Sequence, residues 1–297
     1  MPRVFDKAAD LPGGLLESCP RLAHPARLLM CPPQHFSVVD VKNPHMEGNI
    51  GRVDASRAGE QWDEVLAAFT ASGIDVAMIE PLPDCEDMVF CANQTFVGPR
   101  PDGKKLCVLS NMTHPSRQRE VPAFEKWFTA NGYQIERIPP HILLEGSGDA
   151  IWHPGRRLIW GGHGYRTQPE AYDYLSDLFD VPVLRLALRS PVFYHLDTCF
   201  CAIDEQTALI HAPSLAPEGV ELVRAVFEHV IECPDEEALK GMACNACSIF
   251  GRKIVIQENN PITVAAMRKR GCEVQEVDTS EFMKSGGSVF CMKMYVF

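Results

Sequence analysis

The strongest constraint on the fold is a recurrence along the chain. Strand, strand, helix and strand follow one another, and then the set begins again. Residues 76–79 read as a strand that ends in the Pro-rich turn PLPDCED. Apolar runs at 88–97 and 105–109 read as a hairpin pair joined by GPRPDGKK. Helical spacing of Val121, Phe124 and Phe128 marks 120–131, and 133–138 reads as the next strand. The order returns at 150–152, 158–161, 169–179 and 183–187. It returns again at 198–203, 208–210, 218–229 and 230–233, and once more at 246–249, 253–256, 261–271 and 274–277. A last unit is divided between the two ends of the chain, with strand 27–31 and helix 61–72 at one end and strand 289–296 at the other. The period of roughly 50 residues lies in the range of repeat architectures. About five such α/β units closed into a ring would gather the ends of their inner strands around one central site.

No low-complexity linker interrupts the 297 residues, so 1–297 read as a single domain. The net charge of −11 excludes a nucleic-acid surface or an anionic membrane surface as the natural partner, because both would repel it. The same balance suits a cationic small molecule. The first residues carry no apolar signal core, and no run approaches the roughly 20 apolar residues of a membrane span. A cytosolic location is expected, and in that compartment twelve cysteines read as free thiols. Cys244 and Cys247 have C-x-x-C spacing, and Cys199 and Cys201 lie two apart. Their apolar surroundings, ACNACSIF and DTCFCAID, point to buried strand thiols rather than zinc, so no metal or cofactor is expected.

Three segments carry chemistry. In KSGGSVFC, glycines allow a tight turn and a close backbone approach, with Cys291 directly beyond them. Alone, the segment fits a nucleophile at a pocket floor or a buried cysteine entering a terminal strand equally well. In FYHLDTCFC, a strand would point His195 and Asp197 to one face, as an acid/base pair or a cation-binding corner. In EGSGD, Glu145 and Asp149 flank two glycines after the apolar HILL. Together these suggest a Cys–His–Glu set: thiolate attack by Cys291, acid/base work by His195, and Glu145 orienting the imidazole or holding a cation.

With these residues in place, the chain from about Arg27 onward resembles the pentein, or guanidino-group-modifying, superfamily. The GG-x-x-x-C motif is matched by Gly286, Gly287 and Cys291, the H-L-D motif by His195, and the acidic turn by Glu145. A serine inserted in that turn leaves Asp149 as a second candidate for the acid. LMCPPQHFSVVDVKNPHMEGNIG is similar to the amino-terminal segment of the arginine dihydrolase-like branch and brings in Asn43. DMVFCANQ resembles D-x-V-F-x-x-D/N and brings in Asp87 and Asn93. Deiminases and dimethylarginine hydrolases carry Asp at that last position; dihydrolases carry Asn. GHGYRT is similar to G-x-x-x-R-T, whose arginine, here Arg166, would hold a substrate α-carboxylate, with Arg117 a second candidate.

The resemblance implies a five-bladed α/β propeller of ββαβ units around one active site. It implies hydrolysis of arginine or a derivative through a covalent thiouronium, to citrulline or, in two rounds, to ornithine, ammonia and carbon dioxide. Asp87, Asn93 and Asp197 would help Glu145 grip the guanidinium. Dimethylarginine hydrolysis and amidino transfer differ only in the leaving group or the acceptor. A non-catalytic ligand- or metal-binding protein on the same scaffold is the reading from another class, and a homo-oligomer is left open.

Overall fold

The computed structural model describes residues 4–297. Five separate sheets form among them. In each, a middle strand pairs antiparallel with one neighbour, the preceding strand in four of the sheets, and parallel with the strand after the helix. Thr95–Pro99, Lys105–Leu109 and Gln134–Arg137 make one such sheet. Phe200–Ala202, Thr207–Ile210 and His229–Glu232 make another, and Cys247–Ile249, Lys253–Gln257 and Glu273–Val277 a third. Ala150–Trp152, Ile159–His163 and Val183–Ala187 form the fourth, which gains the short strand Val4–Phe5 at its edge. In the fifth, Arg27–Met30 pairs antiparallel with Lys293–Val296 and parallel with Asp75–Met78. Both ends of the chain therefore meet in one sheet.

The parallel pair in each sheet requires a crossover, and a helix supplies it. Ala55–Ala71 illustrates how the sequence specifies one. The Asp54 carboxylate accepts from the N–H groups of Ser56 and Arg57 at 3.0 and 3.1 Å, satisfying two donors of the first turn. Ala58, Trp62, Val65 and Phe69 recur at helical spacing and are buried against the sheet of the two chain ends. Phe124 and Phe128 of Val121–Ala130 likewise pack on Val97, Cys107 and Leu109. Middle strands are shielded on both faces, so Leu28, Leu29 and Met30 have no exposed surface.

Several local expectations give way to tertiary structure. The run 88–97 is strand only from Thr95; before it, Met88 and Phe90 donate to the carbonyls of Cys85 and Asp87 in successive turns. Those turns aim Asp87 and Asn93 inward, which an extended strand would not do. The segment 195–197 is not strand either: Leu196–Thr198 is a 3-10 turn with His195 extended ahead of it. The same-face argument for His195 and Asp197 therefore fails, although both side chains reach the site. The terminal strand begins at Lys293, so Cys291 lies in the turn before it. The helix at 55–71 starts a turn and a half before 61, at the Asp54 cap. The helix at 218–229 stops at Val226, freeing His229 for the following strand.

Candidate active site

In every sheet the chain delivers polar side chains just ahead of the first strand. Asn93 precedes Thr95–Pro99, Glu145 and Asp149 precede Ala150–Trp152, and His195 and Asp197 precede Phe200–Ala202. Asn245 precedes Cys247–Ile249, and Cys291 precedes Lys293–Val296. Hydrogen bonds tie these positions together. Backbone turns are available there because the ladder has not yet begun, so side chains can point along the strand axis rather than across it.

Cys291 is 3% exposed, and its thiol donates to Asp197 Oδ2 at 3.2 Å. Asn245 clamps the pair. Its Nδ2 donates to Cys291 Sγ at 3.2 Å and to the Asp197 carbonyl at 2.9 Å, while its Oδ1 accepts from the N–H groups of Ser288 and Cys291. The glycines before Cys291 are required sterically. Gly286 has φ +83°, and a Cβ there would lie 2.8 Å from Asn43 Oδ1; one on Gly287 would strike the Phe90 ring at 2.4 Å.

His195 belongs to a second cluster. Its Nε2 lies 2.7 Å from Glu145 Oε2 and its Nδ1 3.4 Å from Asn93 Nδ2. A carboxylate accepts, so Nε2 carries the proton and Nδ1 is the basic nitrogen, receiving the Asn93 amide N–H. Glu145 also accepts from Arg166 Nη1 at 3.1 Å and from the Thr113 N–H at 2.9 Å. Asp149 stands 4.0 Å from His195 Nε2, and accepts from the Thr167 hydroxyl and the Leu196 N–H at 2.7 and 3.0 Å. Of the two acids in EGSGD, Glu145 is the one that bonds the imidazole. Gly148 in that turn lies so close that an added Cβ would sit 2.3 Å from Asn93 Nδ2.

Of the substrate-side candidates, Asp87, Asn93, Arg166, Arg117 and Asn43 border a cavity of about 320 Å³ together with Cys291, His195 and Lys42, whereas Asp197 and Glu145 do not line it. Arg166 stacks over the Tyr194 ring at 4.7 Å and also donates to the Lys42 carbonyl at 2.8 Å. Asp87 accepts from Ser285 Oγ at 2.9 Å and pairs with Lys42 Nζ at 3.1 Å. Asn43 donates to the Ser285 carbonyl at 2.9 Å and accepts from the His45 N–H. Arg117, the second candidate for the α-carboxylate, is buried: its guanidinium pairs with Glu120 and donates to Asn93 Oδ1 and to the Asp87 and Phe90 carbonyls. Its fork is turned on the protein and fixes which way the Asn93 amide faces. A larger apolar cavity of about 840 Å³ lies among Phe96, Trp152, Phe290 and Tyr295, and none of these polar groups borders it.

Burial sets the electrostatics. It pushes Asp149 and Asp197 up to about 7, against the pull of His195 on the first and of the Cys291 hydrogen bond on the second. Glu145 is as deeply buried, yet the His195 hydrogen bond and the Arg166 charge outweigh desolvation and hold it well below the usual carboxylate range. Burial, then the Asp197 charge, pushes the Cys291 thiol well above its ordinary range. The thiol's hydrogen-bond acceptor is Asp197. Among the described residues no group of three or more His, Cys, Asp or Glu side chains is placed to hold a metal. Cys247 Sγ lies 3.2 Å from Tyr295 Oη, and Cys201 donates to the Ala246 carbonyl.

Asn245 was not singled out in the sequence. It sits inside ACNACSIF, where the cysteine spacing drew attention, and the one amide in an apolar run was the signal. Lys42 and Thr113 also escaped, since Lys42 acts through ion pairs with Asp40, Glu86 and Asp87 and Thr113 through one backbone N–H.

The family model described as "N,N dimethylarginine dimethylhydrolase, eukaryotic" matches residues 41–297. The bifunctional arginine dihydrolase/ornithine cyclodeaminase ArgZ of Synechocystis sp. is 34% identical over 93% of this chain, which spans 38% of that protein's length. The dimethylarginine dimethylaminohydrolase of Mycobacterium tuberculosis is 30% identical, over 93% of this chain and 90% of its own. The substrate-bound N-terminal domain of ArgZ, a cyanobacterial arginine dihydrolase, superposes with a TM-score of 0.86 at 32% identity, over 91% of this chain and 97% of that one. The Pseudomonas aeruginosa dimethylarginine hydrolase, at 22% identity and a TM-score of 0.76, shares the fold. The motifs, the fold and these matches agree: the chain belongs to the dimethylarginine dimethylhydrolase family of guanidino-group-modifying enzymes.

Proposed function

We propose that this chain is a cysteine-dependent hydrolase that cleaves a guanidinium C–N bond of arginine or an arginine derivative. The observation that carries the reading is the convergence on one cavity of a thiol bonded to a carboxylate, Cys291–Asp197, and an imidazole bonded to another, His195–Glu145. A guanidinium cation in that cavity meets the thiol and the imidazole directly, with the carboxylates of Asp197 and Glu145 bonded behind them. The Cys291 proton passes to Asp197, and the thiolate attacks the guanidinium carbon. With His195 as the imidazolium, protonated on Nδ1 as well as on Nε2, the departing nitrogen takes the Nδ1 proton and leaves as ammonia, forming a thiouronium and a neutral imidazole. Nδ1 then takes a proton from water, hydroxide adds to the carbon, and the C–S bond breaks as the hydroxyl proton passes to the leaving thiolate, giving the ureido product and the Cys291 thiol. A second round on that product would release ammonia again and leave a carbamate, which loses carbon dioxide to give ornithine.

Asn93 favours the two-round reading. Dimethylarginine hydrolysis is the second reading, favoured by the family model and by the similarity to the mycobacterial protein along its length. Arg166, Lys42 and Asn43 are placed at the cavity to meet the amino-acid end of the substrate. We read the five sheets as a five-bladed α/β propeller and residues 1–297 as one catalytic domain. Five ββαβ sets and a sheet joining both chain ends support that reading. Mass spectrometry of products from arginine, citrulline and dimethylarginine tests the function. Ornithine with two ammonia supports the two-round reaction, and citrulline with dimethylamine supports the second reading. No turnover of any guanidine, with Cys291 inert to alkylation, refutes both.

A further inference from the structure

Lys293 lies two residues beyond the proposed nucleophile, and none of the steps above uses it. It is wholly buried, and among the described residues its ammonium group has no hydrogen-bond partner. Its Nζ sits 3.1 Å from the centroid of the Phe290 ring and 3.8 Å from that of Tyr295. Ring faces attract a cation but do not neutralise it. A lone buried charge costs several kcal/mol in a medium that cannot solvate it. Across the same region, Asp197 has an oxygen with the matching deficit: Oδ2 accepts from Cys291, while Oδ1 is buried without a hydrogen bond. The chain thus holds two under-satisfied groups of opposite charge close to the reacting thiol: Asp197 bonds Cys291, and Lys293 follows Cys291 by two residues and packs on the ring of Phe290 just before it.

We propose that Lys293 is a positioning residue: a buried cation, cradled by Phe290 and Tyr295, that keeps Asp197 ionised and ready to receive a guanidinium.

The groups that bear on Lys293 are few. Asp197 comes from the turn before Phe200–Ala202, Cys201 from that strand, Cys247 from Cys247–Ile249, and Cys291 and Tyr295 from its own segment. Asp197 is the one carboxylic acid among them, and Lys293, then Arg117, are the cations that favour its ionised form. Burial pulls the lysine down to about 8 and pushes the aspartate up to about 7. Each holds its charge against burial, and the opposite charge of the other favours it. An apolar residue at 293 would leave Asp197 alone in low dielectric, and it would take up a proton at neutral pH. A neutral Asp197 binds a guanidinium weakly and cannot accept the thiol proton.

This inference rests on the proposed reading of the site, and its test separates the two. In protein labelled with ¹³C at aspartate carboxyls, the Asp197 resonance is identified by its absence in Asp197→Asn and titrated against pH. In Lys293→Met, and in Lys293→Gln as a second neutral variant, its midpoint is expected to rise by at least one pH unit. Lys293→Arg is expected to restore it. An unchanged midpoint in a folded neutral variant overturns the proposal, whatever the enzyme does. In turnover assays the acid limb of kcat/KM should move with the carboxyl midpoint and return in Lys293→Arg. A moved midpoint with an unmoved limb also overturns the positioning role. A wild-type chain inert toward every guanidine refutes the functional reading, and the carboxyl titration still decides whether Lys293 sets Asp197.

Discussion

The Glu145 carboxylate holds His195 by its Nε2, at 2.7 Å, and so leaves Nδ1 as the nitrogen that can take and give a proton. Glu145→Gln keeps the shape and removes the charge that fixes this arrangement. The expected result is a fall in kcat of about 10²–10⁴-fold with a smaller change in KM, as for loss of acid/base catalysis. Steady-state release of ammonia measures it. A fall of less than about ten-fold would take Glu145 out of the proton-transfer chain.

Asp197 should trade stability for activity. Its folded carboxyl is pushed up to about 7 by burial, while the unfolded one ionises near 3.8. Such a group lends stability below the unfolded value and loses it as pH rises through the folded value. Asp197→Asn is therefore expected to be more stable than the parent at pH 8, by roughly 2–4 kcal/mol. The difference should close toward pH 4. Urea melts at pH 4, 6 and 8 give the comparison, and a constant offset across that range contradicts it. Turnover by the same variant should drop at least about a hundred-fold.

Asn245→Ala removes the clamp between the Asp197 turn and the Cys291 turn. It leaves the Ser288 N–H without its acceptor, together with the Asp197 carbonyl without its donor. A loss of about 2–4 kcal/mol in urea unfolding is expected, with kcat/KM reduced more than stability alone explains. A fully active, unchanged melt would mean that the glycine turn positions Cys291 unaided.

Asn93→Asp probes the choice of product. The amide now receives Arg117 on its oxygen and presents N–H to His195 Nδ1. A carboxylate keeps the first contact but accepts at the second, which draws the imidazole proton toward Nδ1. The expected shift is toward citrulline at the expense of ornithine, followed by mass spectrometry. An unaltered product ratio removes Asn93 from that role.

Much of this was legible in the sequence because the repeat is written in apolar spacing. Val121, Phe124 and Phe128 announce their helix, and alternating strand sets announce the sheets. The residues of the site were harder to place. His195 and Asp197 look like neighbours on one strand face, but a 3-10 turn sends one to Glu145 and the other to Cys291. Local propensity does not report such a turn, since its cause is Asn245, Leu196 and Asp149 meeting from three different sheets. The burial of Arg117 is not written in its own segment, because its acceptors, Glu120 apart, come from the segment 87–93.

The sheet built from Arg27–Met30 and Lys293–Val296 has a bearing on how the protein is made. Its partners lie more than 260 positions apart, so their pairing is the most costly loop to close and should form late. Cys291 stands at the head of that last strand. Until that pairing forms, Cys291 is not held against Asp197 and Asn245, so the nucleophile is seated in the last step of folding.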